Sequence, residues 1–149
     1  MILVENLFNT LKKNKIDFFT GVPDSILKEF SSFLEKLTIK QHMIAVNEGS
    51  AASIGIGYYL STKKIPCIYL QNSGLSNAIN PLISIASKEV YSIPLLLMIG
   101  WRGSPKIKDE PQHMVKGKIT PKLLKLLKIE YCVLRDTKDL LKLSKLIKK

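Results

Sequence analysis

The sequence has 149 residues, 46% of them apolar and 23% charged, with a formal net charge of +11. This length fits one ordinary domain, and this composition excludes intrinsic disorder. The longest unbroken apolar run, residues 93–101, is nine residues, far below the ~20 of a membrane helix, so no membrane association is expected.

The N-terminal segment carries an acid, Glu5, and no cleavage-site pattern, so it does not read as a signal peptide. Leu3, Leu7, Phe8 and Leu11 recur at helical spacing and predict a helix over 3–14. Residues 17–20 predict a short strand, ending at Gly21-Val22-Pro23. Asp24 or Ser25 can then cap a helix running to about residue 37, with Ile26, Leu27, Phe30, Phe33 and Leu34 as its apolar face. Residues 43–46, after a structural His42, read as a buried strand. Residues 48–60 read as a helix crowded with Gly49, Ser50, Ala51, Ala52, Ser53, Gly55 and Gly57.

Residues 65–70 predict the next strand. Residues 71–80 are polar and turn-rich, and lead into a helix broken by Pro81. Residues 93–100 read as a central parallel strand covered on both faces. Residues 101–118 read as a polar loop with Gly103, Pro105, Pro111 and Gly117, and Thr120-Pro121 as a helix start. Residues 131–134 predict a last strand, and residue 137 onward a last helix.

The charge is concentrated late in the chain. Residues 1–101 hold 9 Lys+Arg against 7 Asp+Glu, whereas residues 102–149 hold 14 against 5. All but Arg102 and Arg135 of these cations are lysine, whereas arginine does most direct base reading. Lys118, Lys122 and Lys125, then Lys138, Lys142, Lys145 and Lys149, fall at helical spacing opposite leucines, with no aromatic residues among them to stack on bases. They read as solvated helix faces, and no nucleic-acid partner is expected. Cys67 and Cys132 sit in apolar runs, the pattern of reduced thiols in a cytoplasmic protein, and no Cys/His spacing suggests zinc or another metal site.

Strands alternating with helices predict an α/β fold, a three-layer sandwich with a central parallel sheet. Ligands of such sheets bind outside the carboxyl ends of the strands. Four segments leave those ends. In 21–25, Asp24 and Ser25 follow a strand-to-helix turn that capping alone explains. In 47–50, Glu48 opens a helix whose small residues admit a flat ring or another backbone, although a helix-dipole partner would look the same. In 71–77, Gln71-Asn72-Ser73-Gly74 can present backbone N–H groups, or simply cap a helix. In 100–113 lie Trp101, Arg102 and His113. Arg102 can grip an oxyanion bidentately and His113 is a candidate acid or base, whereas Lys106 and Lys108 read as solvated.

Together these loops resemble one family. Gly21-Val22-Pro23-Asp24-Ser25, Asn47-Glu48-Gly49, Gln71-Asn72-Ser73-Gly74-Leu75-Ser76-Asn77-Ala78-Ile79-Asn80-Pro81-Leu82 and Tyr91-Ser92-Ile93-Pro94 look like the phosphonopyruvate decarboxylases. So does Gly100-Trp101-Arg102-Gly103 followed by Lys108-Asp109-Glu110-Pro111-Gln112-His113. The sulfopyruvate decarboxylase alpha subunits are similar, less closely. Both are thiamine-diphosphate decarboxylases, and the resemblance implies that residues 1–149 form the pyrimidine-binding domain. It implies that Glu48 shares a proton with a pyrimidine nitrogen of the cofactor. Asn72, Ser73 and Gly74 would contact the cofactor. Asp24 or Ser25 would lie near the reacting carbon, Gln71 and Arg102 would meet the substrate, and His113 would donate a proton or anchor the substrate anion.

The Gly-Asp-Gly start of the family's diphosphate domain does not occur in the sequence. The resemblance therefore implies that Mg2+ and the diphosphate are held by a partner domain or a separate beta subunit, in an oligomer. The expected substrate is 3-phosphonopyruvate, favoured over sulfopyruvate by Trp101 and the Asp-Glu-Pro-Gln-His run. A non-catalytic basic binding module is the alternative of a different class.

Overall fold

The computed structural model describes residues 2–105 and 107–149. Strands β1 (Phe19–Gly21), β2 (His42–Ile44), β3 (Cys67–Gln71) and β4 (Leu96–Gly100) form one parallel sheet in the order β2-β1-β3-β4. The helices are α1 (Val4–Lys13), α2 (Lys28–Leu34), α3 (Glu48–Thr62), α4 (Leu75–Pro81), α5 (Pro111–Leu126) and α6 (Asp139–Ile147).

Alternation along the strands sorts the core into two layers. Phe19, Cys67, Tyr69 and Met98 pack with Leu7, Phe8 and Leu11 of α1, Phe30 and Leu34 of α2, and Leu140 and Leu143 of α6. Ile68 and Leu70 pack instead with Ala51 and Ala52 of α3, Leu75 and Ala78 of α4, and Leu124 of α5. This is the three-layer α/β sandwich that the alternating pattern predicts. Asn14 ends α1 and donates to Ser144 Oγ at 3.1 Å, tying that helix to α6. Burial pushes the Cys67 thiol up, which keeps it protonated and unreactive. His42 is structural as expected: its Nε2 lies 2.8 Å from the Tyr69 hydroxyl, reaching across Gly21, where any side chain would meet the Tyr69 ring.

Several boundaries differ from those the sequence predicts. β2 is an edge strand with exposed Met43 and Ile44, and Val46 beyond it is 90% exposed. β4 is the opposite edge rather than a central strand. Residues 131–134 join no ladder, and Cys132 and Leu134 pack instead against the α1/α6 core. Neither Asp24 nor Ser25 caps α2, which starts three residues after Ser25 and leaves Ile26 exposed.

Pro81 closes α4, as expected of a proline that breaks a helix, whereas Pro121 does not start one. The chain then continues as a π-turn over Leu82–Ala86. α5 begins at Pro111, so Gln112, His113 and Gly117 are helical, and Pro121 lies inside the helix. Pro121 cannot donate to the carbonyl four residues back, that of Gly117. The Trp101 indole N–H takes that carbonyl at 3.0 Å. The freed helix acceptor thus becomes the anchor of the loop after β4. The lysines at 118, 122, 125, 138, 142, 145 and 149 are exposed, as their spacing predicts.

Candidate functional site

β1, β3 and β4 end at Gly21, Gln71 and Gly100, and the loops that leave them share one rim of the sheet. Glu48 reaches that rim from the first turn of α3. Asn47 fixes the turn by accepting from Ser50 N at 2.8 Å. Glycine at 49 lets the Asn77 carbonyl of α4 come close: a Cβ there would sit 2.8 Å from it. That approach brings Asn77 Nδ2 to 2.9 Å from Glu48 Oε2. The other oxygen lies against Gly74, where any side chain would overlap Glu48 Oε1. Among the described residues Oε1 accepts no hydrogen bond.

A second group stands on the ends of β1, β3 and β4. Asp24 is buried above Gly100, in space that a side chain at position 100 would fill. Its Oδ1 accepts from Gln71 Nε2 at 2.6 Å and its Oδ2 from Ile26 N at 3.2 Å. Gln71 Oε1 in turn accepts from Ser73 Oγ at 2.6 Å. Both ends of the Gln71 amide are therefore committed, and its donor is aimed at Asp24.

The third group is the loop after β4. Asn72 is buried and clamps the backbone of Arg102: Nδ2 donates to Arg102 O at 3.0 Å and Oδ1 accepts from Arg102 N at 3.1 Å. Asn72 Nδ2 also donates to Thr120 Oγ1 at 3.0 Å. The Arg102 side chain pairs bidentately with Asp109, Nε at 2.8 Å and Nη2 at 2.6 Å, and its Nη1 donates to Ser25 Oγ at 3.1 Å. Asp109 also accepts from Gly103 N and Glu110 N, both at 2.9 Å. Gly103 adopts φ +65°, the left-handed region that favours glycine, and this turns the chain back towards α5. His113, in the first turn of α5, has its backbone carbonyl against Gly103 and a buried Nδ1 with no hydrogen-bond partner among the described residues.

The structure thus brings Asp24, Gln71 and Ser73 into one hydrogen-bonded set and Ser25, Arg102 and Asp109 into a second, the two meeting at the adjacent residues Asp24 and Ser25. Glu48 and Gly74 touch each other at the flank of the first set, joined to it through Ser73. Asn72 is beneath Arg102, and His113 is beside the Gly103 turn without a bond to the others. Lys106 lies outside the described residues, and Lys108 is exposed. Asn77, Asp109 and Thr120 are participants that spacing did not single out. The described residues contain no group of three His, Cys, Asp or Glu that could hold a metal ion.

The Arg102 guanidinium, helped by the Glu110 and Gly103 amides, holds the Asp109 carboxyl well below the usual range against the opposing effect of desolvation. A depressed folded-state pKa adds stability above the unfolded value, and that stability is lost as pH falls towards the folded value. Asp109→Asn is therefore expected to destabilise the chain at pH 7. The gap to the parent should narrow progressively below pH ~4, where the unfolded chain's carboxyl takes up a proton while the folded pair still resists one. Urea denaturation of both proteins across this range checks it, and a gap independent of pH would assign the loss to shape rather than charge.

The model of the thiamine pyrophosphate enzyme, N-terminal TPP binding domain, matches residues 1–124. A phosphonopyruvate decarboxylase of Streptomyces viridochromogenes is 37% identical over 119 residues, 80% of this chain and 29% of the relative. A sulfopyruvate decarboxylase subunit alpha of Methanococcus maripaludis is 34% identical over 127 residues, 85% of this chain and 74% of the relative. The chain spans about a third of the length of the phosphonopyruvate decarboxylases it matches, 29% of one and 35% of another from Streptomyces hygroscopicus. In fold it is similar to a chain described as a thiamin diphosphate-dependent enzyme from Mycobacterium smegmatis, with TM-score 0.59 and 20% identity over 84% of this chain and 22% of the other. With five sixths of its length under that one model, the chain belongs to the thiamine pyrophosphate enzyme family, as an N-terminal TPP binding domain.

Proposed function

We propose that the chain is the pyrimidine-binding half of a thiamine-diphosphate-dependent decarboxylase that converts 3-phosphonopyruvate to phosphonoacetaldehyde and carbon dioxide. The observation that carries this is Glu48, a carboxylate at the rim with one oxygen held by Asn77 and the other accepting no bond among the described residues. A group so placed can share a proton with a ring nitrogen. The cradle fits a flat ring: Gly74 brings backbone, not side chain, against the carboxylate, and Gly49 and Ser50 keep the start of α3 low.

When bound, thiamine diphosphate supplies the electron sink that accepts the pair left as carbon dioxide departs. Glu48 would hold the pyrimidine, with Ser73 and Gly74 beside it and Asn72 keeping their loop in place. Asp24, aimed by Gln71, and Ser25 would serve the reacting carbon. His113 would supply a proton or anchor the substrate, and Arg102 would grip its anion. With no three-ligand acidic cluster among the described residues, Mg2+ and the diphosphate would be held by another domain or a separate beta subunit. The working enzyme would then be a cytoplasmic oligomer.

A second substrate, sulfopyruvate, is supported by similarity: the chain is 34% and 35% identical to two sulfopyruvate decarboxylase alpha subunits. The test mixes the chain with a subunit that carries the Gly-Asp-Gly motif and follows binding of thiamine diphosphate and Mg2+ by calorimetry. Tight binding only in the mixture, with faster turnover of 3-phosphonopyruvate than of sulfopyruvate, is expected. The reverse preference selects sulfopyruvate, and no binding in the mixture sinks the split-site assignment.

A further inference from the structure

We infer that Arg102 is a preassembled clamp for the tetrahedral oxyanion at the far end of the substrate, and that Asp109 and Asn72 are the positioning residues that assemble it. This rests on the decarboxylase proposed above. Free arginine side chains at a protein surface are mobile, and holding one still costs rotamer entropy. Arg102 is held at every level. Asn72 takes both its backbone N–H and its carbonyl. Asp109 takes Nε and Nη2, and the pair is mostly buried, with side chains 23% and 11% exposed. Ser25 takes one donor from Nη1, on the turn that also carries Asp24.

A guanidinium has five N–H donors. Among the described residues three are spent on Asp109 and Ser25, which leaves one on each terminal nitrogen. Two donors about one fork apart match two oxygens of a phosphonate or sulfonate, and a tail without acceptor oxygens, such as the methyl of pyruvate, cannot use them. The location argues against a pair that serves stability alone. Arg102 is two residues beyond Gly100, and the missing side chain of Gly100 is the space that Asp24 occupies. An anionic substrate arriving there meets the buried Asp24 carboxylate, and a fixed cation beside it offsets that repulsion. Asp109 sets the direction of the fork, because its bidentate grip fixes the guanidinium plane.

The test compares 3-phosphonopyruvate with pyruvate, which lacks the distal anion, in the enzyme assembled from the full chain and its diphosphate-binding partner. Asp109→Asn is expected to raise KM for 3-phosphonopyruvate ~10-fold or more beyond any change for pyruvate, as loss of an aligned charge-assisted bond implies, with Arg102→Lys at least as large. Equal effects on both substrates would overturn the clamp and leave Asp109 a structural residue. The free chain gives an independent readout: calorimetry with phosphonoacetate against propionate should show a phosphonate preference that both substitutions remove, with circular dichroism confirming that each variant is folded. That preference, lost in both variants of an assembly that decarboxylates neither acid, would retain the clamp and dismiss the decarboxylase. Turnover without a distal-anion effect would do the opposite.

Discussion

Replacing Glu48 by glutamine is expected to lower decarboxylation by the assembled enzyme by ~10²–10⁴-fold, the range a positioned proton-transfer group contributes. Glutamine has nearly the same shape and can still accept from Asn77 through its carbonyl oxygen. It cannot exchange a proton with a ring nitrogen. The fold should survive, because the carboxylate is half-exposed and its contribution as an acid at a helix N-terminus is only ~0.3–1 kcal/mol. Asn47, not Glu48, caps α3. Turnover, cofactor affinity and urea stability should therefore separate: the first collapses, the second weakens, and the third barely moves. Turnover equal to the parent's, with cofactor still bound, would remove Glu48 from the chemistry.

What the sequence discloses about this site, and what it hides, follows from range. Glu48 was legible because its cues are adjacent: small residues after it and an apolar strand upstream. The four strand-end loops were legible for the same reason, each being a local switch from apolar to polar residues. Strand order is not local. Residues 93–100 and 43–46 are apolar enough for central strands, and only the pairing β2-β1-β3-β4 makes both of them edges. The two prolines of α5 each satisfy the rule for a helix start, and what admits Pro121 inside the helix is an indole from residue 101 on the orphaned Gly117 carbonyl. Asn77 lies 29 residues from Glu48, and Asp109 seven from Arg102 along an irregular loop, so no periodicity could join them. The expected cap at Asp24 failed because α2 starts only at Lys28: Asp24 Oδ2 accepts from Ile26 N, ahead of the helix, while Oδ1 accepts from Gln71 across the sheet rim.

Gly117→Ala is expected to destabilise the chain by about 3 kcal/mol, the upper end for overpacking. Gly117 is buried in α5 where the helix backbone meets the turn after β4. A Cβ there would overlap the Gly103 carbonyl and lie 2.8 Å from the Arg102 carbonyl oxygen. These are backbone atoms, so no side-chain rotation relieves the contact. The turn must lift from α5, and with it go the Trp101 bond to Gly117 O and the Asn72 grip on Arg102. Stability and the substrate clamp should thus fail together. Gly57→Ala provides the matching control. Gly57 is exposed within α3, and a Cβ there meets nothing within 4 Å. Alanine should stabilise the chain by ~0.5–1 kcal/mol through helix propensity and a less flexible unfolded state. Thermal and urea unfolding of the two variants should move in opposite directions. If Gly117→Ala matched the parent in both, α5 would have to sit further from the Gly103 turn than its packing here implies, and the fixed position assigned to Arg102 would lose its support.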